Sequence, residues 1–361
     1  MSRSVKDTAF KVAAGVNVAT VLVMICVGYS GCFNPVSYPF MSSLSLFFPV
    51  FLVANFLFMA FWVFFRLRFT LISFIGCILC FAPIRTYMPL NVGREVPEGA
   101  IKVLSYNVLW FAPWVQKDGE PNAILEYLKH SDAHIICLQE ASPHELGGED
   151  KLNELKRLYP YYAKAENSTN KDAMALFSKF PIIGQEPIEF ESIGNMSMAF
   201  HLLIDRDTVV VINNHLETNS FTAEEKNRFK ELLQGKLDAG QTPLLSRGLM
   251  KKLGDAARKR TPQAEAVARY IASHRGKSII VCGDFNDNPL SFTHRLIAEG
   301  LTDCFVSSGN GPGFTYHESG MYVRIDNILC SNDFQPYDCK VDKSIKSSDH
   351  YPIYCWLKKK E

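Results

Sequence analysis

The sequence predicts an α+β domain built in layers and carried behind a block of transmembrane helices. Three observations carry that expectation. Before Arg85 the chain is dominated by long runs of Phe, Val, Leu and Ile with almost no acidic residues. After it, charged residues of both signs appear at the density of an ordinary globular domain. From Ile101 onward, short apolar runs of strand length are separated by helical and polar stretches. The 361 residues leave room for one large domain and an accessory region. The divisions expected are a transmembrane region over 1–90 with about three helices, a linker over 91–100 and a folded domain over 101–361.

Three apolar stretches make up the first region: Val12 to Phe33, Phe40 to Phe65, and Phe69 to about Ile84. The first two reach the ~20 residues that a helix needs to cross ~30 Å of hydrocarbon, and the third is shorter. The first is also longer than the ~7 to 15 residue core of a signal peptide, and a second span follows at once, which argues against cleavage. Arg3, Lys6 and Lys11 precede the first span, no charge lies between Gly31 and Ser43, and Arg66 and Arg68 stand between the second and third. Short loops rich in Lys and Arg stay cytoplasmic. A multi-pass protein is therefore expected, with its N-terminus in the cytoplasm and its folded domain periplasmic or extracellular. A re-entrant third segment would instead leave that domain in the cytoplasm.

Within the domain, strands are expected at Ile101 to Tyr106, His134 to Leu138, Ala173 to Phe177, Met198 to Ile204, Thr208 to Asn213, Ser278 to Cys282, Arg324 to Cys330 and Tyr351 to Leu357. Helices are expected at Asn122 to His130, Lys151 to Leu158, Ala223 to Leu232, Thr261 to His274 and Ser291 to Glu299. The stretch from Phe221 to Arg260 is a long basic excursion between two strands. It reads either as a solvated helical surface or as a flap for an anionic substrate or lipid head groups. Ten cysteines show no spacing typical of a zinc site. Cys137, Cys282, Cys330 and Cys355 lie in apolar runs and read as buried thiols, while a disulfide involving Cys304 or Cys339 stays open in an oxidising compartment.

Strong polar residues close several of these apolar runs. Asn107 ends Ile-Lys-Val-Leu-Ser-Tyr-Asn, Glu140 ends Ile-Ile-Cys-Leu-Gln-Glu, and Asn213, Asn214 and His215 follow Val-Val-Val-Ile. Gly283-Asp284-Phe285-Asn286-Asp287 follows Ile-Ile-Val-Cys, Asp326 sits inside Arg-Ile-Asp-Asn-Ile-Leu, and Ser348-Asp349-His350 precedes the last strand. A lone Asp or His at a strand end is more often a turn or cap than a catalyst. The ordered set, with Gly-Asp-Phe-Asn and Ser-Asp-His as its specific motifs, resembles the endonuclease/exonuclease/phosphatase superfamily over Ile101 to about Lys358. The resemblance implies a four-layered α/β/β/α sandwich of DNase I-like type with a metal site at one edge, hydrolysing phosphate esters.

Such hydrolysis adds water to an anionic centre while charge grows on the leaving oxygen, and a hard cation helps both events. The resemblance makes Glu140 a metal ligand, with Asn107 beside it and Asp349 closing the shell. Carboxylates without a Cys or His cluster suit Mg²⁺, or Mn²⁺, better than zinc. It gives Asp284 the task of orienting and deprotonating water, with Asn286 holding phosphate or nucleophile. His350 would act as acid/base or phosphate contact, oriented by Asp326. His215 matches the histidine of the DNase I-like and sphingomyelinase-like branches, which contacts the phosphate and assists the leaving group, and Asn213 and Asn214 are candidates to support the same oxygen. Asp172 and Ala173 depart from the family, standing where many members have a glycine.

The function expected is a phosphodiesterase near the membrane on its non-cytoplasmic side, acting on a lipid head group or a nucleic acid, with no protein partner evident. Membrane anchoring favours the lipid, and a net charge of +1 gives no global electrostatic case for a long nucleic acid. The alternatives are an extracellular or periplasmic nuclease and an inactive membrane scaffold. The scaffold is disfavoured because the whole motif set is present. A transporter is disfavoured because the three spans carry no Asp, Glu, Lys or Arg.

Overall fold

The computed structural model describes residues 3–116, 120–146, 148–167, 172–219, 221–233, 236, 242–318 and 320–360. The apolar N-terminal block is helical, as α1 (Arg3–Gly28), the short α2 (Pro39–Ser42), α3 (Phe48–Phe65), α4 (Thr70–Leu79) and α5 (Phe81–Tyr87). The stretches Lys6–Cys32 and Pro39–Phe65 are each long and apolar enough to cross a membrane. Leu67–Leu79 and Phe81–Tyr87 pass that test only together and are bent by 66°, so the expected third segment is a broken one. Polar side chains join the helices inside the bundle: Trp62 Nε1 and Ser73 Oγ donate to Asn17 Oδ1 at 2.9 and 3.1 Å.

The remaining helices are α6 (Ala123–Lys129), α7 (Asn153–Leu158), α8 (Ala223–Leu233), α9 (Thr242–Ser273), α10 (Phe292–Ile297) and α11 (Cys304–Ser308). The strands are β1 (Ile101–Asn107), β2 (Ile135–Gln139), β3 (Tyr161–Glu166), β4 (Ala173–Ser178), β5 (Ile182–Pro187), β6 (Met196–Ile204), β7 (Asp207–His215), β8 (Ser278–Asp284), β9 (Thr302–Asp303), β10 (Asp326–Cys330), β11 (Phe334–Val341) and β12 (Ile353–Lys359). They form two six-stranded sheets, ordered β11-β12-β1-β2-β4-β3 and β5-β6-β7-β8-β10-β9. Alternate residues of a strand face opposite sides, and both sides are buried here. In β8, Ile280 and Cys282 pack between the sheets with Val103, Ile135 and Phe200, whereas Ile279 and Val281 pack outward on Val267 and Ile271 of α9. On the other outer face, Leu104 and Ile136 pack on Ile124 and Leu128 of α6. The result is the expected α/β/β/α order of layers.

Several local expectations need correction. β3, β5, β9 and β11 were not expected; the first two lie at sheet edges, half-buried or exposed along much of their length, so no apolar run marks them. The expected strand at Arg324 begins only at Asp326, because Arg324 is buried and donates to the carbonyls of Thr86 and Pro312. The helix expected at Thr261 runs back to Thr242 through Pro262. A proline inside a helix forfeits one backbone hydrogen bond. Buried neighbours on both sides hold the helix: Arg260 Nη1 donates to Glu217 O, and Gln263 Oε1 accepts from Glu217 N. The basic excursion is therefore α8 plus the first half of α9, and ion pairs with Glu318, Glu225 and Glu217 occupy Lys226, Lys252 and Lys259. All ten cysteines are free; Cys304 Sγ lies 3.7 Å from Cys330 Sγ, both buried.

The helical block is seated on the domain. Asn288 Nδ2 donates to Ser45 Oγ at 2.8 Å, Arg295 Nε to Gly31 O at 3.2 Å, and Arg324 Nη2 to Thr86 O at 2.6 Å. Leu290 packs among Met24, Val27, Phe48 and Leu52. Between Tyr87 and β1 the chain runs along the side of the domain, where Asn91 bonds the carbonyls of Val306 and Gly309 and Glu98 O accepts from Lys358.

Candidate active site

One edge of the sandwich collects the polar strand ends. β1 and β2 run parallel and finish at Asn107 and Gln139, the latter followed by Glu140. β7 and β8 run parallel and finish side by side at His215 and Asp284. β10 runs antiparallel to β8 and starts with Asp326 opposite Asp284. The loop before β12 supplies Asp349 and His350, and Ser348 Oγ ties that loop to Asn107 O at 2.8 Å. Gly283 makes the close approach of β7 and β8 possible: it has φ +120°, and a Cβ there would lie 2.1 Å from Asn214 O.

Side chains then knit the edge together. Asn107 Nδ2 donates to Glu140 Oε1 at 3.1 Å and to Asp284 Oδ2 at 3.2 Å, spanning the two sheets. Asp284 Oδ1 accepts from the backbone N–H of Asn286 at 2.8 Å, and Asn286 Nδ2 bonds both Asp284 Oδ2 and Leu216 O. Glu140 and Asn286 hold left-handed backbones, φ 49° and 51°, a strain that clusters at functional sites. His350 Nδ1 is 2.8 Å from Asp326 Oδ2, and its Nε2 points to Asp284 Oδ2 at 3.7 Å. His215 Nδ1 is 3.1 Å from Asp172 Oδ2, with its Nε2 3.6 Å from Glu140 Oε1.

The eight residues singled out in the sequence, Asn107, Glu140, His215, Asp284, Asn286, Asp326, Asp349 and His350, thus share one edge. Asn213 and Asn214 do not contribute. Asn213 Oδ1 accepts from Gln139 and its Nδ2 donates to Leu138 O, stitching the sheets, while Asn214 bonds Ser197 and Cys282 O. Sequence reasoning missed Asp172. Its only signal in the sequence is a carboxylate just ahead of an apolar strand, which reads as a departure in loop shape. The hydrogen bond from Ala141 N to Ala173 O, 2.7 Å, brings that loop beside Glu140, and buried Asp172 holds His215.

Electrostatics separates the groups. Burial opposes a charge on His215, but the hydrogen bond to Asp172 and the nearby Glu140 outweigh it and raise its pKa to about 9. Burial likewise opposes His350, and Asp326 and Asp284 outweigh it, holding the imidazole well above its usual value. Glu140 is raised, chiefly by desolvation and against the pull of His215 and Asn107. Asp284 is raised by burial and by Asp326.

The chemistry of the donors fits a hard divalent cation. Glu140 Oε2 is buried without a hydrogen-bond partner among the described residues. Among the described residues Asn107 Oδ1 accepts only the N–H of Leu109, which leaves a lone pair. Ligand atoms of Asp284, Asp326 and His350 also lie within 4.8 Å of one another. There the hydrogen bond to Asp326 takes Nδ1 of His350 and leaves Nε2 facing Asp284, an arrangement suited to handling protons. A cleft of about 540 Å³ between the linker and β11 holds none of these groups.

A model of the Endonuclease/Exonuclease/phosphatase family matches residues 104–350. The chain belongs to the endonuclease/exonuclease/phosphatase family. Like that family, it is a hydrolase of phosphoric esters. A second model, Domain of unknown function (DUF8431), matches residues 10–87. Among solved structures, the human Nocturnin catalytic domain with bound sulfate anion is similar at a TM-score of 0.51 and 18% identity, over 72% of this chain and 94% of that one. D. rerio TDP2 complexed with single strand DNA product is similar at 0.50 and 13%, over 72% and 100%. These likenesses concern the fold. Comparison with curated proteins found no match.

Proposed function

We propose that this family member is a phosphodiesterase that works with Mg²⁺ or Mn²⁺ outside the cytoplasm, at the membrane that anchors it. The charge imbalance of the catalytic edge carries the reading. Five carboxylates, Glu140, Asp172, Asp284, Asp326 and Asp349, surround two imidazoles, and Glu140 keeps a buried oxygen unpartnered. Such a site calls for a cation with oxygen ligands. Glu140, Asn107 and Asp349 would hold it, and when bound it offsets charge on the phosphate oxygens and the leaving group.

The chain's own residues do the rest. Asp284, oriented by Asn286 and Asn107, takes the proton of the attacking water. His350, aligned by Asp326, and His215, aligned by Asp172, are protonated near neutral pH and contact the phosphate oxygens. As the P–O ester bond breaks, one of them gives its proton to the departing oxygen. Asn286 uses its amide nitrogen on Asp284 and keeps its side-chain oxygen for the water.

The contacts of the helical block support the outward orientation. The turn after α1, the start of the second span and the end of α5 all touch the domain, at Gly31, Ser45 and Thr86. The charged turn at Arg66–Arg68 lies at the other end of α3, so the bent pair has to cross back to the domain's side. With Arg66 and Arg68 cytoplasmic, the domain is outside.

The test uses the full chain in detergent with bis-p-nitrophenyl phosphate. Turnover should require Mg²⁺ or Mn²⁺, stop with EDTA, and fall by about 10³-fold in Asp284→Ala. Undiminished turnover in EDTA or in Asp284→Ala would overturn the reading. External protease on intact cells should digest the domain, and protection there would overturn the orientation.

A further inference from the structure

We infer that the catalytic edge is turned toward the bilayer and that the phosphate ester it hydrolyses is carried by a membrane lipid. The inference rests on the phosphodiesterase reading above and names its substrate class. It begins with where the helical block sits. Among the described residues, its hydrogen bonds to the domain go to Asn288 and Arg295, which follow Asp284, and to Arg324, which precedes Asp326. The loops that carry the catalytic aspartates are thus the loops that rest on the membrane helices. The linker agrees: it leaves Tyr87 at this edge and must run the height of the domain to enter β1 at the opposite edge.

α9 marks the same direction. Its C-terminal end leads into β8 at the far edge, and Arg260 reaches Asp287 beside the site, 3.4 Å from its carboxylate. The segment from Thr242 to Lys259 therefore projects past the catalytic edge by roughly 27 Å at helical rise. Along it Gly254 lies against Pro39, at the start of the second span. Arg247 and Lys251 are exposed on this projecting part. Cations there suit the phosphate layer of a bilayer. Exposed Tyr38 and Phe40 mark the same level on the helical block, where aromatic side chains favour the membrane–water boundary.

A phospholipid places its phosphate at that level, with its tails in the bilayer beside α1 and α3. A polymer in solution would meet a mouth flanked by membrane helices, on a chain of net charge +1. In the lipid reaction water adds to phosphorus, one ester P–O bond breaks, and the proton lost by water is balanced by the one delivered to the departing alcohol.

The experiment reconstitutes the full chain in nanodiscs of phosphatidylcholine and phosphatidylglycerol with Mg²⁺. It follows three substrates: bis-p-nitrophenyl phosphate, a single-stranded oligonucleotide, and the disc lipids themselves by mass spectrometry. Lipid hydrolysis should exceed oligonucleotide hydrolysis at least 100-fold per phosphate. Gly31→Leu, which drives a side chain into Leu290 O, and Gly254→Leu, which crowds Pro39, should unseat the helices. They should cut lipid turnover at least tenfold while bis-p-nitrophenyl phosphate turnover stays within twofold. The surface variant R247E/K251E, which alters only exposed positions, should lower lipid turnover several-fold with the same control unchanged. Cleaved oligonucleotide with intact lipid, or lipid turnover indifferent to all three variants, overturns the inference and leaves the phosphodiesterase standing. No hydrolysis of any of the three substrates sinks both.

Discussion

Asp172 is the residue whose chemistry was least visible in advance and whose removal should be most informative. It fixes His215 through Nδ1 and sustains its raised pKa of about 9. Asp172→Asn should lower kcat by about 10²-fold with little change in KM. If His215 gives up the proton, activity falls as pH rises through about 9, and Asp172→Asn moves that limb to lower pH. An unchanged pH profile would assign the proton to His350. The other eight residues were legible because a strong polar group at the end of an apolar strand contradicts its surroundings. Asp172 was not, because a carboxylate ahead of a strand reads equally well as a turn. Asn213 and Asn214 share the strand-end signature of His215, and only their partners reveal that both are structural.

Among the elements, β7 and β8 depend on Gly283. Gly283→Ala would force a methyl group to within 2.1 Å of the Asn214 carbonyl and impose a strained φ. We expect a loss of about 3 kcal/mol or more, read as a lowered midpoint in urea. Beyond β8, Asp303 caps α11 and meets His294 Nε2 at 3.1 Å. Burial alone would raise the Asp303 pKa, but His294 and Arg324 outweigh it and hold the carboxylate low. Its contribution to stability is therefore present above pH ~4 and disappears as pH falls through the lowered native value. The unfolding free energy of Asp303→Asn, from urea titrations at several pH values, should fall less steeply below pH ~4 than that of the parent. Central strands were readable from their apolar runs because both faces are buried. The edge strand β3 was not, since Tyr161-Tyr-Ala-Lys-Ala-Glu is half-exposed and polar in composition. α9 was under-read because Pro262 normally marks a helix start, and tertiary anchors overrule that preference here.

At the scale of the whole molecule, the four-layered fold was legible from motif order, whereas the seating of the helical block on it was not. Contacts such as Asn288 to Ser45 join residues more than two hundred positions apart and leave no trace in local periodicity. The position of β12 adds a temporal consequence. It lies between β11 and β1 rather than at an edge, and Asp349 and His350 immediately precede it. A ribosome therefore completes the helical block, and nearly all of the domain, before the strand that closes the first sheet exists. A chain stopped after Tyr351 should fractionate with membranes and yet show no phosphoesterase turnover, measured on the same preparation. Interrupted translation then yields an inert N-terminal block, never a half-built hydrolase.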